Sequence, residues 1–108
     1  MEVTLGPVQS IPEGEGRNFV VGTRTIAVFR TRQGALFATQ AECPHRGGPL
    51  ADGLVGARTL ICPLHALKFD LETGRSADGA CALATYPVRT SSSGQIVIEL
   101  ADRPSESE

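Results

Sequence analysis

Two short stretches, Cys43-Pro44-His45 and Cys62-Pro63-Leu64-His65, are the most informative part of this sequence, and sixteen residues separate them. Each stretch contributes one sulfur and one imidazole nitrogen, so the two patterns are C-x-H and C-x2-H. Four such ligands on two loops can bind either a tetrahedral zinc ion or an iron-sulfur cluster. The sequence therefore predicts a metal centre built from Cys43, His45, Cys62 and His65.

The spacing of the ligands bears on which metal they bind. Zinc fingers usually take two like ligands from each loop, whereas here each loop carries one cysteine and one histidine. A cluster in which one iron takes both thiolates and the other takes both imidazoles requires each loop to reach both irons. The spacing permits this, with Cys43 and Cys62 on one iron and His45 and His65 on the other. Zinc stays open as the alternative.

The rest of the chain is divided by turn residues into short segments typical of strands. There are 12 glycines and 7 prolines, and no segment keeps apolar residues at helical spacing over three turns, so the sequence predicts an all-β fold. The expected strands are residues 3–5, 19–21, 25–30, 36–40, 58–61, 68–71, 84–89 and 95–99. Ile26, Val28 and Phe29 break strict alternation, which is consistent with burial on both faces or with a bulge.

Length and charge narrow the classes of protein to consider. A chain of 108 residues suits one domain, which we place at residues 1–100, with the polar stretch 101–108 as a frayed tail. The formal net charge of −2 provides no basic field for nucleic acid. The apolar runs are too short to span a membrane, and the first residues lack a signal-peptide pattern. We therefore expect a cytoplasmic protein with neither nucleic acid nor membrane as its partner.

The ligand stretches, residues 43–50 and 62–70, resemble those of the Rieske 2Fe-2S proteins, and weaker similarity extends to residues 11–14, 27–30, 69–74 and 86–88. The resemblance implies an antiparallel β-sandwich of three stacked sheets. It also implies one 2Fe-2S cluster at the tips of two loops, at about residues 42–50 and 62–69. Cys43, His45, Cys62 and His65 match the ligands of the family, whereas Cys81 matches no ligand spacing and is expected to be a small, semi-buried side chain.

Four positions depart from the high-potential members of this family. Gly48 and Leu64 stand where those members carry a disulfide, and Leu67 and Phe69 stand where serine and tyrosine hydroxyls donate to the cluster sulfurs. Without these donors the reduced cluster is less stabilised. The resemblance therefore implies a potential at the low end of a range of about −150 to +300 mV.

The resemblance implies a one-electron carrier without a substrate-converting site of its own. The chain has no glycine-rich phosphate loop and is too short to include a nicotinamide fold or a mononuclear iron domain. Its expected partners are a reductase and a terminal oxidoreductase. The flanking similarity slightly favours the small subunit of an assimilatory NAD(P)H nitrite reductase over the ferredoxin of a ring-hydroxylating oxygenase. A zinc-bound or metal-free interaction module is the alternative from another class.

Two basic residues, Arg46 and Lys68, flank the ligands. Basic residues in such places can bind an acidic partner. A charge beside a loop is more often simply solvated, and the sequence alone favours that interpretation for both.

Overall fold

The computed structural model describes residues 2–43, 49–63, 67–77, 79 and 81–100. The strands in this part of the chain are β1 (Glu2–Pro7), β2 (Glu15–Val21), β3 (Arg24–Arg30), β4 (Leu36–Gln40), β5 (Leu54–Val55), β6 (Thr59–Ile61), β7 (Lys68–Asp70), β8 (Thr85–Tyr86), β9 (Val88–Thr90) and β10 (Gln95–Glu99). Two single turns of 3-10 helix, Val8–Ser10 and Leu50–Asp52, accompany them. Within the described ranges no helix is long and apolar enough to cross a membrane.

The strands form three antiparallel sheets, as expected for the all-β class. The first sheet has the order β1-β10-β9, the second β2-β3-β4-β8, and the third β5-β6-β7. The third sheet begins after the first ligand stretch, and the second ligand stretch connects its strands β6 and β7. The predicted fold class is therefore confirmed.

Strand β3 lies at the centre because both of its faces are buried. Ile26 and Val28 lie in an apolar cluster shared with β10, while Ala27 and Phe29 lie in a second cluster shared with β6 and β7. All four side chains are fully buried. Strand β3 pairs with β2 and β4 without a register shift, so the broken alternation reflects burial on both faces and not a bulge. The second sheet is the middle layer of the fold.

Two details of the predicted strands are wrong. The segment 84–89 is not one strand: it forms β8 and β9, which belong to different sheets on either side of Pro87. Proline has no backbone N–H and cannot continue a ladder on both sides, so the chain changes sheets there. Strand β5 was not predicted, because two residues are too few for alternation to be visible. The tail 101–108 lies outside the described residues, and the domain limit at residue 100 stays a prediction.

Gly16 on β2 allows the middle sheet to approach the chain that follows the first ligand stretch. A Cβ atom at Gly16 would lie 2.6 Å from Cδ1 and Cε1 of Phe29 and 3.3 Å from Cα of Ala51. Phe29 is fully buried and cannot move aside without disturbing its own cluster. The absence of a side chain at Gly16 is therefore a packing requirement.

An ion pair joins the ends of the third sheet that lie away from the second ligand stretch. Nη2 of Arg58 lies 2.8 Å from Oδ2 of Asp70, and Nη1 of Arg58 lies 3.3 Å from Oε1 of Glu72. The backbone N–H groups of Glu72 and Thr73 donate to Oδ1 of Asp70. The hydrogen bond from Arg58 holds the pKa of Asp70 below its usual value, the two N–H groups act in the same direction, and partial desolvation opposes them.

Replacing Gly16 by alanine is expected to lower the free energy of unfolding by about 1–3 kcal/mol, because the added methyl group overpacks the Phe29 ring. Urea unfolding of the holo-protein followed by circular dichroism measures this. Gly56→Ala is the matched control, since a Cβ there meets nothing closer than 3.7 Å. Equal stability of the two variants would contradict the packing requirement.

Replacing Asp70 by asparagine is expected to lower stability at neutral pH but not at acid pH. The folded-state pKa of Asp70 is depressed, so its carboxylate contributes stability above the unfolded value of about 3.9 and loses it as the pH falls through the folded-state pKa. Urea unfolding from pH 7 downward should show the Asp70→Asn and wild-type curves converging in acid. Glu72→Gln, at the longer contact, is the control with the smaller effect. A difference that persists in strong acid would refute this origin.

Candidate metal centre

The first ligand stretch starts from a closed base at the end of β4. Glu42 and Pro49 form an antiparallel bridge, and the N–H of Leu50 donates to the carbonyl of Ala41 at 3.0 Å. These contacts bring together the two ends of the segment that contains Cys43 and His45. Cys43 is the first residue inside the base, and its side chain is only 3% exposed.

The second ligand stretch is closed in the same way. Ile61 on β6 pairs with Lys68 on β7, and the N–H of Cys62 donates to the carbonyl of Leu67 at 2.8 Å. Cys62 is therefore the first residue after β6 and lies inside this base. Alternation along the strand places it on the same face as the buried Leu60, and its side chain is 1% exposed.

The two cysteines meet in the interior although they are far apart in sequence. Both belong to the apolar cluster that also contains Phe29, Leu60 and Phe69, which we call the thiol cluster. Neither is part of a disulfide. Each of two closed loops thus begins with a buried cysteine, and both cysteines face one apolar region.

The histidines of the predicted ligand set, His45 and His65, lie outside the described residues, as do Gly48 and Leu64. Within the part of the chain that the structure does describe, no three His, Cys, Asp or Glu side chains form a group that could hold a metal ion. The structure therefore brings together the two predicted thiolate ligands, and the pair of imidazole ligands stays a prediction.

Cys81 lies closer to this region than the sequence indicated. Its side chain is half-buried and packs against the thiol cluster. The N–H of Cys81 donates to Oγ of Ser76 at 3.1 Å, and the N–H of Ser76 donates to the carbonyl of Cys81 at 2.9 Å. The expectation of a semi-buried side chain is confirmed. Its packing against the cluster that contains Cys43 and Cys62 follows from the path of the chain after β7, and no spacing rule predicts it.

The donor chemistry at this site fits a 2Fe-2S cluster. Cluster irons take cysteine thiolates as ligands, and two buried cysteines outside any disulfide begin the two loops. The surroundings are apolar, with Leu50 and Leu60 in the same cluster. Each loop continues in sequence to a histidine after one or two further residues, as the second iron of a mixed-ligand cluster requires.

The Rieske [2Fe-2S] domain family matches this sequence over residues 1–88. The ferredoxin component of the naphthalene 1,2-dioxygenase system of Pseudomonas aeruginosa is 34% identical over 84 residues, covering 73% of this chain and 77% of that protein. The 3-phenylpropionate/cinnamic acid dioxygenase ferredoxin subunit of Shigella flexneri serotype 5b is 34% identical over 99 residues, covering 89% of this chain and 91% of that protein.

A solved structure provisionally assigned as the NADH-dependent nitrite reductase small subunit of Mycobacterium tuberculosis has the same fold. It superposes with a TM-score of 0.85 and covers 94% of this chain and 96% of that one, at 23% identity. The family match, the relatives and the paired loops that begin with buried cysteines agree with one another. The chain belongs to the Rieske [2Fe-2S] domain family.

Proposed function

We propose that this protein is a one-electron carrier whose 2Fe-2S cluster is held by Cys43, His45, Cys62 and His65. The observation that carries the proposal is the convergence of Cys43 and Cys62, each at the start of a closed loop, on one apolar cluster. Family membership implies the cofactor, and the chain supplies two thiols and two imidazoles at the required spacing.

The four proposed ligands fall into two pairs, and the charge of each pair affects the reduction potential of the cluster. Cys43 and Cys62 would bind one iron as thiolates, and His45 and His65 would bind the other as neutral imidazoles, so the protein would add only two negative charges. When bound, the cluster supplies a site that accepts and releases one electron. A cluster with two thiolate ligands carries less negative charge than one with four, so reduction is more favourable. Its reduction potential is therefore higher than that of plant-type ferredoxins.

The side chains around the thiols are expected to keep the potential low within the Rieske range. Phe69 is buried in the thiol cluster and Leu67 packs against it, and neither carries a hydroxyl. An apolar surrounding also disfavours the added negative charge of the reduced state. These two positions therefore contribute no hydrogen bond that would stabilise reduction.

The best supported role is that of a ferredoxin that receives an electron from a reductase and passes it to a terminal oxygenase. Support comes from the ferredoxin components and subunits of dioxygenase systems, which match at 34% identity and, in the longer match, over nine-tenths of both chains. The partners in this proposal are proteins. The chain acts as an electron-transfer component in the cytoplasm and has no substrate-converting site of its own.

A second candidate role is the small subunit of an assimilatory NAD(P)H nitrite reductase. The flanking similarity at residues 11–14, 27–30, 69–74 and 86–88 slightly favours it, and the mycobacterial structure shares the fold of this chain. The two roles use the same cluster and differ in the partner proteins. The genes that neighbour this one, for an oxygenase or for a nitrite reductase catalytic subunit, separate them.

The cluster and its ligands are tested by a paramagnetic resonance spectrum of anaerobically reduced protein. We expect a red-brown preparation with a Rieske-type spectrum. Cys43→Ser, Cys62→Ser, His45→Ala and His65→Ala should each lose the normal spectrum with most of the iron and sulfide, because ligation and loop folding are coupled. Cys81→Ala is the matched control and should keep all three. A colourless protein with one bound zinc would instead support an interaction module.

The reduction potential should rise when hydroxyl donors are introduced at the two apolar positions beside the thiols. In Leu67→Ser and Phe69→Tyr the new hydroxyl is expected to donate to the cluster sulfurs and stabilise the reduced form. Voltammetry of variants with full cluster content measures this. Leu67→Ala separates the hydroxyl from the loss of volume, and a potential equal in Leu67→Ser and Leu67→Ala would show that residue 67 does not face the sulfurs.

A further inference from the structure

The outer face of the third sheet presents a row of three side chains beside the second ligand loop. The register pairs Leu54 on β5 with Ile61 on β6, and Ile61 with Lys68 on β7. Neighbouring strands lie about 4.8 Å apart, so the row spans roughly 10 Å. Ile61 directly precedes Cys62. We call these three residues the outer row, and it borders the base of the loop that begins with Cys62.

The outer row is unusually apolar for an exposed sheet face. Leu54 is 71% exposed and Ile61 is half-buried, whereas Leu60, on the opposite face of β6, is completely buried. In the described part of the chain, only Val20 is a comparably exposed large hydrophobic residue. A single exposed leucine is ordinary on a protein surface. Here its cross-strand neighbour is a second apolar side chain next to a candidate ligand.

Positive charge that has no ion-pair partner among the described residues lies beside this apolar surface. Lys68 is exposed at the end of the outer row, and Arg75 is exposed on the segment that follows β7. The N–H of Ala77 donates to the carbonyl of Lys68, and that of Asp70 to the carbonyl of Arg75, so this segment runs alongside β7. Among the described residues, neither Lys68 nor Arg75 has an ion-pair partner, while Arg58 is paired with Asp70.

We propose that the outer row, with Arg75 on the adjoining segment opposite Asp70, is the docking surface for a redox partner protein that presents carboxylates around an apolar patch. The proposal rests on the electron-carrier function proposed above. Contact with Leu54 and Ile61 displaces water and holds the complex together, while Lys68 and Arg75 steer the acidic partner. A partner seated here lies beside the loop that carries Cys62. The solvated role that sequence alone favoured for Lys68 is replaced by this one.

The proposed steering of an acidic partner by Lys68 and Arg75 is tested with two electron acceptors of opposite charge, acidic plastocyanin and basic cytochrome c. Stopped-flow oxidation of the reduced protein gives a bimolecular rate constant for each. Lys68→Glu should lower the rate constant with plastocyanin about fivefold at low ionic strength and raise it with cytochrome c. Both differences should shrink in about 1 M salt, where the screening length falls to roughly 3 Å.

Arg32→Glu is the matched control because it changes the net charge equally. Arg32 is exposed and lies in the turn between β3 and β4, at the end of β4 away from Cys43. Its effect on either rate constant should be much smaller than that of Lys68→Glu. Equal effects of the two variants would show that only the overall charge matters and would overturn the docking surface.

The apolar part is tested at Leu54. Leu54→Ser should lower the rate constant with plastocyanin about threefold at both low and high salt, because burial of apolar surface is not screened by ions. Leu54→Met should keep the wild-type rate constant, and Val20→Ser, at the other exposed large hydrophobic residue of the described part of the chain, should leave it unchanged. An unchanged rate in Leu54→Ser would overturn the apolar part of the surface.

The controls also separate failure of the docking surface from failure of the electron-carrier function. A wild-type protein that reduces neither acceptor would refute the function itself. A wild-type protein that reduces both, with rate constants unaffected by Lys68→Glu and Leu54→Ser, would refute only the docking surface.

Discussion

Burial of both faces of β3 is the constraint on which the rest of the structure depends. Its side chains divide alternately between two apolar clusters, with Ile26 and Val28 on one side and Ala27 and Phe29 on the other. A strand can bury both faces only when each is covered by another layer. The sheet formed by β1, β10 and β9 covers one face, and the third sheet together with Cys43 and Leu50 covers the other. The two cysteines of the candidate metal centre are therefore part of the core packing, in the same apolar cluster as Phe29.

The two ligand loops are built on the same principle in different surroundings. In each, backbone contacts close the base one or two residues outside the cysteine, at Glu42 and Pro49 in the first loop and at Ile61 and Lys68 in the second. A closed base brings the two ends of each segment together, so the entropy cost of closing the loop is met by backbone contacts outside the candidate ligands. The ion pair of Arg58 and Asp70 ties the far ends of β6 and β7. The second loop thus stands on a short hairpin held at both ends.

The third sheet separates two chemically different surfaces within one layer. Its inner side chains, Leu60 and Phe69, share one apolar cluster with the thiols, whereas on its outer face Lys68 is exposed and Ile61 is half-buried. Because side chains alternate along a strand, adjacent residues serve opposite faces. Because of this alternation, an exposed surface lies next to the candidate cluster ligands within a protein of about a hundred residues. Cys62 and Ile61 are adjacent in sequence, but Cys62 is buried on the inner face and Ile61 belongs to the outer row.

Much of this protein could be predicted from its sequence because its signals are local. The spacing of Cys43, His45, Cys62 and His65 indicated the kind of metal centre, and glycine and proline positions with short alternating runs indicated an all-β fold. Most strand positions followed from the same patterns. The sequence shows a proline at position 87, which can interrupt a strand. That the chain changes sheets there depends on which strands pair with β8 and β9, and the sequence does not show this.

Only the tertiary structure decided the features that arise from contacts between distant segments. Burial of β3 on both faces, the approach of Gly16 to Phe29, the packing of Cys81 against the thiol cluster and the outer row of Leu54, Ile61 and Lys68 all join residues that no local spacing connects. The spacing of apolar residues indicates whether one segment is a helix or a strand, but it does not show which other segment packs against it. Which layer covers a face, and which side chains stay uncovered, is settled by the packing of whole sheets.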